Sequence, residues 1–157
     1  KRMRDIRTET AELYARYADM LYRTAYARLL NAADAEDAAA ETFAKYLRKM
    51  PEFRDNSHEK AWFLRVCINT CNDMARRKTV RSYTPLDELS EVLAAEEKDR
   101  SILEAVYELP EKYRMCVLFY YFEAMSVEET AKALKISVSA VKMRLSRARE
   151  MLKTELL

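Results

Sequence analysis

Apolar residues recur at helical spacing along most of this chain. Ile6, Leu13, Tyr17, Leu21, Ala25 and Leu29 fall near one face of a core helix predicted over residues 5–31. Asn31-Ala32-Ala33 loosens the pattern, and Asp34 with Asp37 three residues on resembles a capping box, so a second helix is expected over 34–49, stopped by Pro51. Residues 50–60 (MPEFRDNSHEK) read as a polar, irregular loop, with His58 a solvated loop residue. A third helix is expected over 59–78. Its inward stripe is Phe63, Val66, Cys67, Thr70, Cys71 and Met74, its outer face Arg65, Asn69, Asn72 and Arg76, and Trp62 reads as a core anchor. The pattern fades over 79–99, a linker with at most a helical turn near 86–93, and resumes over 100–109. Pro110 suits the first turn of the next helix, which runs to Glu123.

The last segment has the sharpest local signal. Ser126 and Glu129 form a capping box opening a short helix to Leu134, and Lys135-Ile136-Ser137 makes a turn. Val138, Val141, Leu145, Ala148 and Leu152 then mark the buried face of a final helix. Two helices joined by a three-residue turn read as a helix-turn-helix. The opposite face carries Ser139, Lys142, Met143, Ser146 and Arg147, flanked by Arg144 and Arg149. Lys and Arg there have the reach to donate to guanine edges, while the flanking arginines grip phosphate. A generic two-helix hairpin with a solvated basic face is the plainer alternative.

Composition narrows the chemistry. The 157 residues hold no glycine and only three prolines, so phosphate-cradling loops, the dinucleotide fingerprint and the glycine-flanked nucleophile turn are absent, and little in the chain is expected to need a positive φ. With Ala, Leu, Glu, Lys and Arg abundant, an all-α fold is expected. One histidine and three cysteines (Cys67, Cys71, Cys116) argue against a zinc site, a disulfide framework or an assembled nucleophile-base pair; neither metal nor cofactor nor enzymatic activity is expected. The longest apolar run, 115–122, is too short for a membrane span and no signal-peptide stretch follows the start, so a cytoplasmic location is expected. The net charge of +2 hides a partition: residues 1–78 carry sixteen Lys/Arg against twelve Asp/Glu, residues 79–110 three against eight, and residues 111–157 nine against six. Two basic modules flanking an acidic connector fit a polyanion partner. The expected organisation is two small helical domains, 1–78 and 100–157, joined by an acidic linker over 79–99.

Four stretches, in this order and spacing, carry a resemblance: 34–43 (DAEDAAAETF), 61–69 (AWFLRVCIN), 109–114 (LPEKYR) and 126–149 (SVEETAKALKISVSAVKMRLSRAR). Over nearly its whole length the chain resembles an extracytoplasmic-function sigma factor of the bacterial sigma-70 superfamily. That resemblance implies a transcription initiation factor that binds core RNA polymerase, with the first domain reading and melting the minus-ten element of promoter DNA and the second reading the minus-thirty-five element. Asp37, Glu41 and Lys45, a charged stripe at i, i+4 spacing, correspond to the stretch that docks on the polymerase clamp helices. Asn69 matches a minus-ten contact, and Asn72 could also hydrogen-bond base edges. Phe53, Arg54, Asn56 and Ser57 would shape a pocket for a flipped base, and Arg76, Arg77 and Lys78 would neutralise phosphate. The acidic linker would thread toward the polymerase cleft. Ala40 stands where the family usually has glutamine, and Lys135 where its turn usually has glycine. Many members are held inactive by an anti-sigma factor, which no residue here names. Two other readings stay open: a helix-turn-helix regulator that binds duplex DNA without polymerase, and a helical interaction protein with no nucleic-acid role.

Overall fold

The computed structural model describes residues 3–77 and 97–156, all-helical among those residues. Lys78 and the predicted turn near 86–93 lie outside them. The first three helices are α1 (Met3–Leu29), α2 (Ala32–Lys49) and α3 (Asn56–Arg76). Helix α2 opens earlier than the predicted Asp34–Asp37 box: Asn31, in extended backbone, accepts the Asp34 N–H on its side-chain oxygen at 2.9 Å. Asp34 is thereby carried into the buried first turn. Asp55 caps α3 in the same way through the His58 N–H at 2.8 Å, so Asn56, Ser57 and His58 belong to the first helical turn, not to the loop. A side-chain acceptor that satisfies a free N–H decides each start, ahead of the apolar spacing.

The second set is α4 (Glu97–Glu108), α5 (Glu111–Val117), a π-helical turn (Leu118–Phe122), α6 (Val127–Leu134) and α7 (Val138–Leu156). The single helix expected from Pro110 to Glu123 is therefore split. Pro110 is the N-cap of α5 in extended backbone, outside its first turn, and its carbonyl accepts from the Tyr113 and Arg114 N–H groups, each at 3.0 Å. The widened turn buries Leu118 and Phe119 and leaves Tyr120, Tyr121 and Phe122 exposed. Ser126 and Glu129 do form the reciprocal capping box of α6, at 3.0 and 2.9 Å.

The glycine-free sequence does require left-handed backbone. Leu30 (φ 56°), Met50 (φ 44°), Ala124 (φ 53°) and Lys135 (φ 57°) all have positive φ. Met50 and Lys135 end helices α2 and α6, where a left-handed residue lets the following N–H groups reach the last carbonyls. Without glycine each such position costs about 1 kcal/mol or somewhat more, offset by the packing the turn permits.

Phe63 centres the first core. Its ring stands 4.9 Å from Tyr17, 5.4 Å from Phe43, 5.6 Å from Tyr46 and 5.1 Å from Trp62. Trp62 itself is half-buried against this cluster, as an anchor would be. A second core joins Val106, Leu109, Tyr113, Cys116 and Val117 to Ala131, Val141, Leu145 and Ala148. The first core does not stop at α3: Tyr107, Met115, Leu118, Phe119 and Met125 belong to it, with α1 packed on α5 and α3 on α6. The two helical sets thus share apolar surface.

Candidate nucleic-acid interface

Helix α7 divides as its spacing predicts. Val141, Leu145 and Ala148 are buried, while Ser139, Lys142, Met143, Ser146 and Arg147 are exposed. Met143, half of its surface in contact with solvent, offers an apolar spot suited to a thymine methyl between basic neighbours. Three of the arginines have local partners. Arg147 hydrogen-bonds the Tyr113 phenol and lowers its pKa; Arg149 donates to the Tyr121 hydroxyl at 3.0 Å; Arg144 is half-buried beside Cys116, whose thiol burial pushes up. The angle of α7 follows from Lys135, left-handed at the end of α6, and from Ser137, whose hydroxyl accepts the Ala140 N–H at 3.0 Å.

Helix α3 presents Arg65, Asn72, Arg76 and Arg77 as exposed and Asn69 as half-buried. Arg76 pairs with Asp73 one turn back, and Asn72 accepts from Arg28 of α1 at 3.1 Å. The expected inward stripe is present, with Phe63, Cys67, Thr70 and Cys71 buried, but Leu64 and Ile68 are buried too. The spacing missed them because the second helical set covers this side of α3. All three cysteines are buried free thiols. Cys67 donates to the Leu21 carbonyl, and the Cys71 thiol is pushed up by its hydrogen bond with Cys67 and by burial.

The candidate base-capture residues do not gather in one pocket. Arg54, Asn56 and Ser57 are exposed, and the Arg54 N–H donates to His58 Nδ1 at 3.1 Å, so that ring tightens the entry to α3. Phe53 is half-buried, edge-on to His58 at 5.5 Å and to Trp62 at 5.9 Å. It lines a groove of about 710 Å³ with Glu9, Glu12, Glu52 and Glu59; Arg16 there is paired with Glu59 at 2.6 Å. Asp37, Glu41 and Lys45 do come together, along a groove of about 510 Å³ between α2 and α3 that Asp73 and Arg77 close. Glu41 pairs with Arg48 at 2.8 Å, and Lys45 donates to Thr70 at 2.8 Å.

Sequence reasoning missed the charged groups between the two helical sets. Glu123, with its side chain only 5 % exposed, is held by Arg23 through Nε–Oε1 at 2.8 Å and Nη2–Oε2 at 3.2 Å, which also raises the Arg23 pKa. Lys60 donates to the Glu123 carbonyl at 2.7 Å. Arg28 pairs with Glu111 at 3.2 Å, and the buried Arg114 donates to the carbonyls of Ala27 and, at 3.0 Å, Leu109. Most of these partners lie far apart along the chain, so no local pattern announces them.

Two helical modules, the second a helix-turn-helix with an exposed basic face, define the class: an all-α protein of the kind that reads nucleic acid. Residues 13–81 match the family model for sigma-70 region 2 and residues 99–152 the model for sigma-70 region 4. The chain is 28 % identical to the ECF RNA polymerase sigma factor SigW of Bacillus subtilis, over 93 % of this chain and 88 % of that protein. It is 29 % identical to the RNA polymerase sigma factor SigV of the same organism, over 86 % and 83 %. In fold it is similar to the sigma factor RpoE of Bartonella quintana, solved with the anti-sigma factor NepR, with a TM-score of 0.77, 20 % identity and coverage of 94 % and 96 %. The chain belongs to the sigma-70 family, among its extracytoplasmic-function sigma factors, and so binds core RNA polymerase and recognises promoter DNA. The regulator that works without polymerase is not favoured.

Proposed function

We propose a division of labour within that role. Residues 1–78 form the unit that docks on polymerase and captures the minus-ten element, residues 79–99 are the connector, and residues 100–157 read the minus-thirty-five duplex. The observation that carries this reading is α7, whose polar face of Ser139, Lys142, Met143, Ser146 and Arg147 is exposed opposite its buried stripe. Lys142 and Arg147 contact base edges, and Arg144 and Arg149 hold phosphate. In the first unit Asp37, Glu41 and Lys45 meet the polymerase, Arg65, Asn69, Asn72, Arg76, Arg77 and Lys78 line the minus-ten DNA, and Phe53 with Arg54, Asn56 and Ser57 holds a non-template base outside the stack. Capturing that base offsets the few kcal/mol of unstacking and so stabilises strand opening. The protein performs no chemistry of its own, and its place is the cytoplasm, with the polymerase. None of the helices among the described residues is long and apolar enough to cross a membrane. The RpoE complex with NepR supports an anti-sigma partner here as well.

The test is a pull-down with bacterial core RNA polymerase, followed by transcription from genomic fragments and permanganate footprinting of the resulting promoters. Core binding, specific initiation and permanganate-reactive thymines around the minus-ten element are expected. Phe53→Ala and Asn69→Ala should slow opening, with less defect on a pre-melted template. Normal opening and normal binding of a single-stranded non-template oligonucleotide by both variants would remove the base-capture role.

A further inference from the structure

Two exposed arginines of α7 are held by tyrosines. Arg149 donates from Nη1 to the Tyr121 hydroxyl at 3.0 Å, and Arg147 hydrogen-bonds the Tyr113 phenol. Three exposed arginines elsewhere have carboxylate partners instead: Arg76 pairs with Asp73, Arg48 with Glu41 at 2.8 Å and Arg16 with Glu59 at 2.6 Å. The two kinds of partner differ in what they leave for a polyanion. A carboxylate cancels the charge that a phosphate would meet. A phenol oxygen orders the guanidinium with a lone pair, adds no formal charge, and leaves most of its N–H donors free for a bidentate contact.

One element supplies both phenols. Arg147 and Arg149 are two residues apart, about 200° around a helix, so their side chains leave α7 on opposite flanks. Helix α5 packs against α7, with Tyr113, Cys116 and Val117 in one core with Val141, Leu145 and Ala148. Tyr113 and Tyr121 are eight residues apart on α5 and the π-helical turn that continues it, about 12 Å along the axis and so about the width of the helix they bracket. Eight residues of α-helix would also carry Tyr121 about 80° around from Tyr113. The π-helical turn, closed by the Glu123 N–H on the Leu118 carbonyl at 3.0 Å, takes in an extra residue and removes most of that offset. Tyr120 braces the second phenol, its ring edge-on to that of Tyr121 at 4.9 Å. Tyr121 is 51 % exposed, so its bond to Arg149 is open to a duplex lying on the α7 face.

We propose that Tyr121 is a positioning residue for promoter binding, its hydroxyl holding Arg149 beside the α7 face in the arrangement that meets a phosphate of the minus-thirty-five duplex. This deepens the reading of α7 as the minus-thirty-five reader and rests on it. Tyr121 acts through Arg149 and touches no DNA atom itself. The gain is conformational: a free arginine gives up many rotamers when it binds, whereas one already held at a phenol gives up fewer, so the contact costs less ordering. Because the phosphate contact carries no sequence information, the benefit is the same on every promoter sequence. The widened turn after α5 thereby gains a role in recognition, since it brings the phenol to the flank of α7 from which Arg149 leaves.

The experiment titrates holoenzyme, assembled from core polymerase and the full chain, on promoter fragments that differ in the minus-thirty-five element, across a range of salt concentrations. Tyr121→Phe removes the hydroxyl and keeps the ring. It should leave core binding unchanged, weaken promoter binding about two- to tenfold on every sequence, and keep the salt slope, because the cation remains. Arg149→Ala should weaken binding further and lower the slope by about one. In the Arg149→Ala background Tyr121→Phe should have no additional effect, a coupling that a general loss of stability would not produce. Unchanged promoter affinity for Tyr121→Phe, beside a clear loss for Arg149→Ala, would overturn the positioning role. So would an undiminished Tyr121→Phe effect in the Arg149→Ala background, which would put the hydroxyl on the DNA itself, or a fall in core affinity, which would put it against polymerase. If holoenzyme forms but neither Lys142→Ala nor Arg149→Ala changes promoter binding, the reading of α7 as the minus-thirty-five reader is what falls. The two failures are therefore distinguishable.

Discussion

Helices α3 and α7 carry the two expected DNA faces, and they obey the same periodicity with different results. On α7 the buried stripe and the exposed face fall as the spacing predicts, because its apolar side packs within the second core. On α3 the buried surface is broader. Leu64 and Ile68 join the stripe, because a second layer, made from the other module, lies against a side that one-layer packing would leave to solvent. Periodicity therefore reports how many neighbours a helix has as much as which face it turns inward.

The strongest way to break this comparison is to remove apolar bulk from each helix. Val141→Ala should cost about 2 kcal/mol in urea unfolding however the modules are arranged, since Val141 packs inside one core. Ile68→Ala should cost about 2–4 kcal/mol alone and less in a Met115→Ala background, because Ile68 and Met115 line one cleft between the modules and would share the cavity. Additive losses for Ile68→Ala and Met115→Ala would place Ile68 in the first core alone.

Base reading sharpens the comparison next. Alanine at Lys142 or Arg147 should change the preference among minus-thirty-five variants by about 1–3 kcal/mol. Alanine at Arg144 or Arg149 should weaken all variants alike and lower the salt slope by about one per phosphate contact. Binding titrations of holoenzyme across sequence variants and salt concentrations separate the two patterns. Equal losses on every variant for all four changes would refute the assignment.

A smaller effect lies in the turn that orients α7. Lys135 has φ 57° and ψ 45°, so Lys135→Gly should raise the stability of the second module by about 1 kcal/mol, less the entropy that glycine adds to the unfolded chain. Thermal unfolding measures it, and a loss of stability would show that the lysine side chain holds the turn.

The smallest expected effect is at alkaline pH. Burial, with a hydrogen bond to Glu59, pushes the Tyr17 phenol up to about 12, and burial does the same for Tyr107. The unfolded chain gives up these protons near pH 10 while the folded chain keeps them. The stability from both groups is therefore complete below about pH 10 and is lost as the pH rises toward about 12. Tyr17→Phe and Tyr107→Phe should each flatten that decline in a pH series of unfolding midpoints. Tyr107 lies where the modules meet, its ring against Tyr26 of α1, so its share of the decline reports the packing between them and that of Tyr17 the first core.

Much of this molecule is written locally. The all-helical class follows from helix-forming composition; the Ser126–Glu129 box and the split of α7 follow from interactions within four residues or one turn. The family motifs are also short runs, readable without a fold. Other local signals were present but outranked: Asn31 and Asp55 cap helices two or three residues ahead of where apolar spacing begins, since a satisfied N–H outweighs the pattern. Left-handed backbone at Leu30, Met50 and Ala124 has no signature in the sequence, because no glycine marks it. Only the tertiary structure decided which charges face one another across the two modules. Arg23 and Glu123 are ordinary surface residues in the sequence, one hundred positions apart. They meet because the apolar faces of α1, α3 and the π-helical turn pack together, which buries the Glu123 carboxylate beside the half-buried Arg23 guanidinium and makes that cation its partner in place of water.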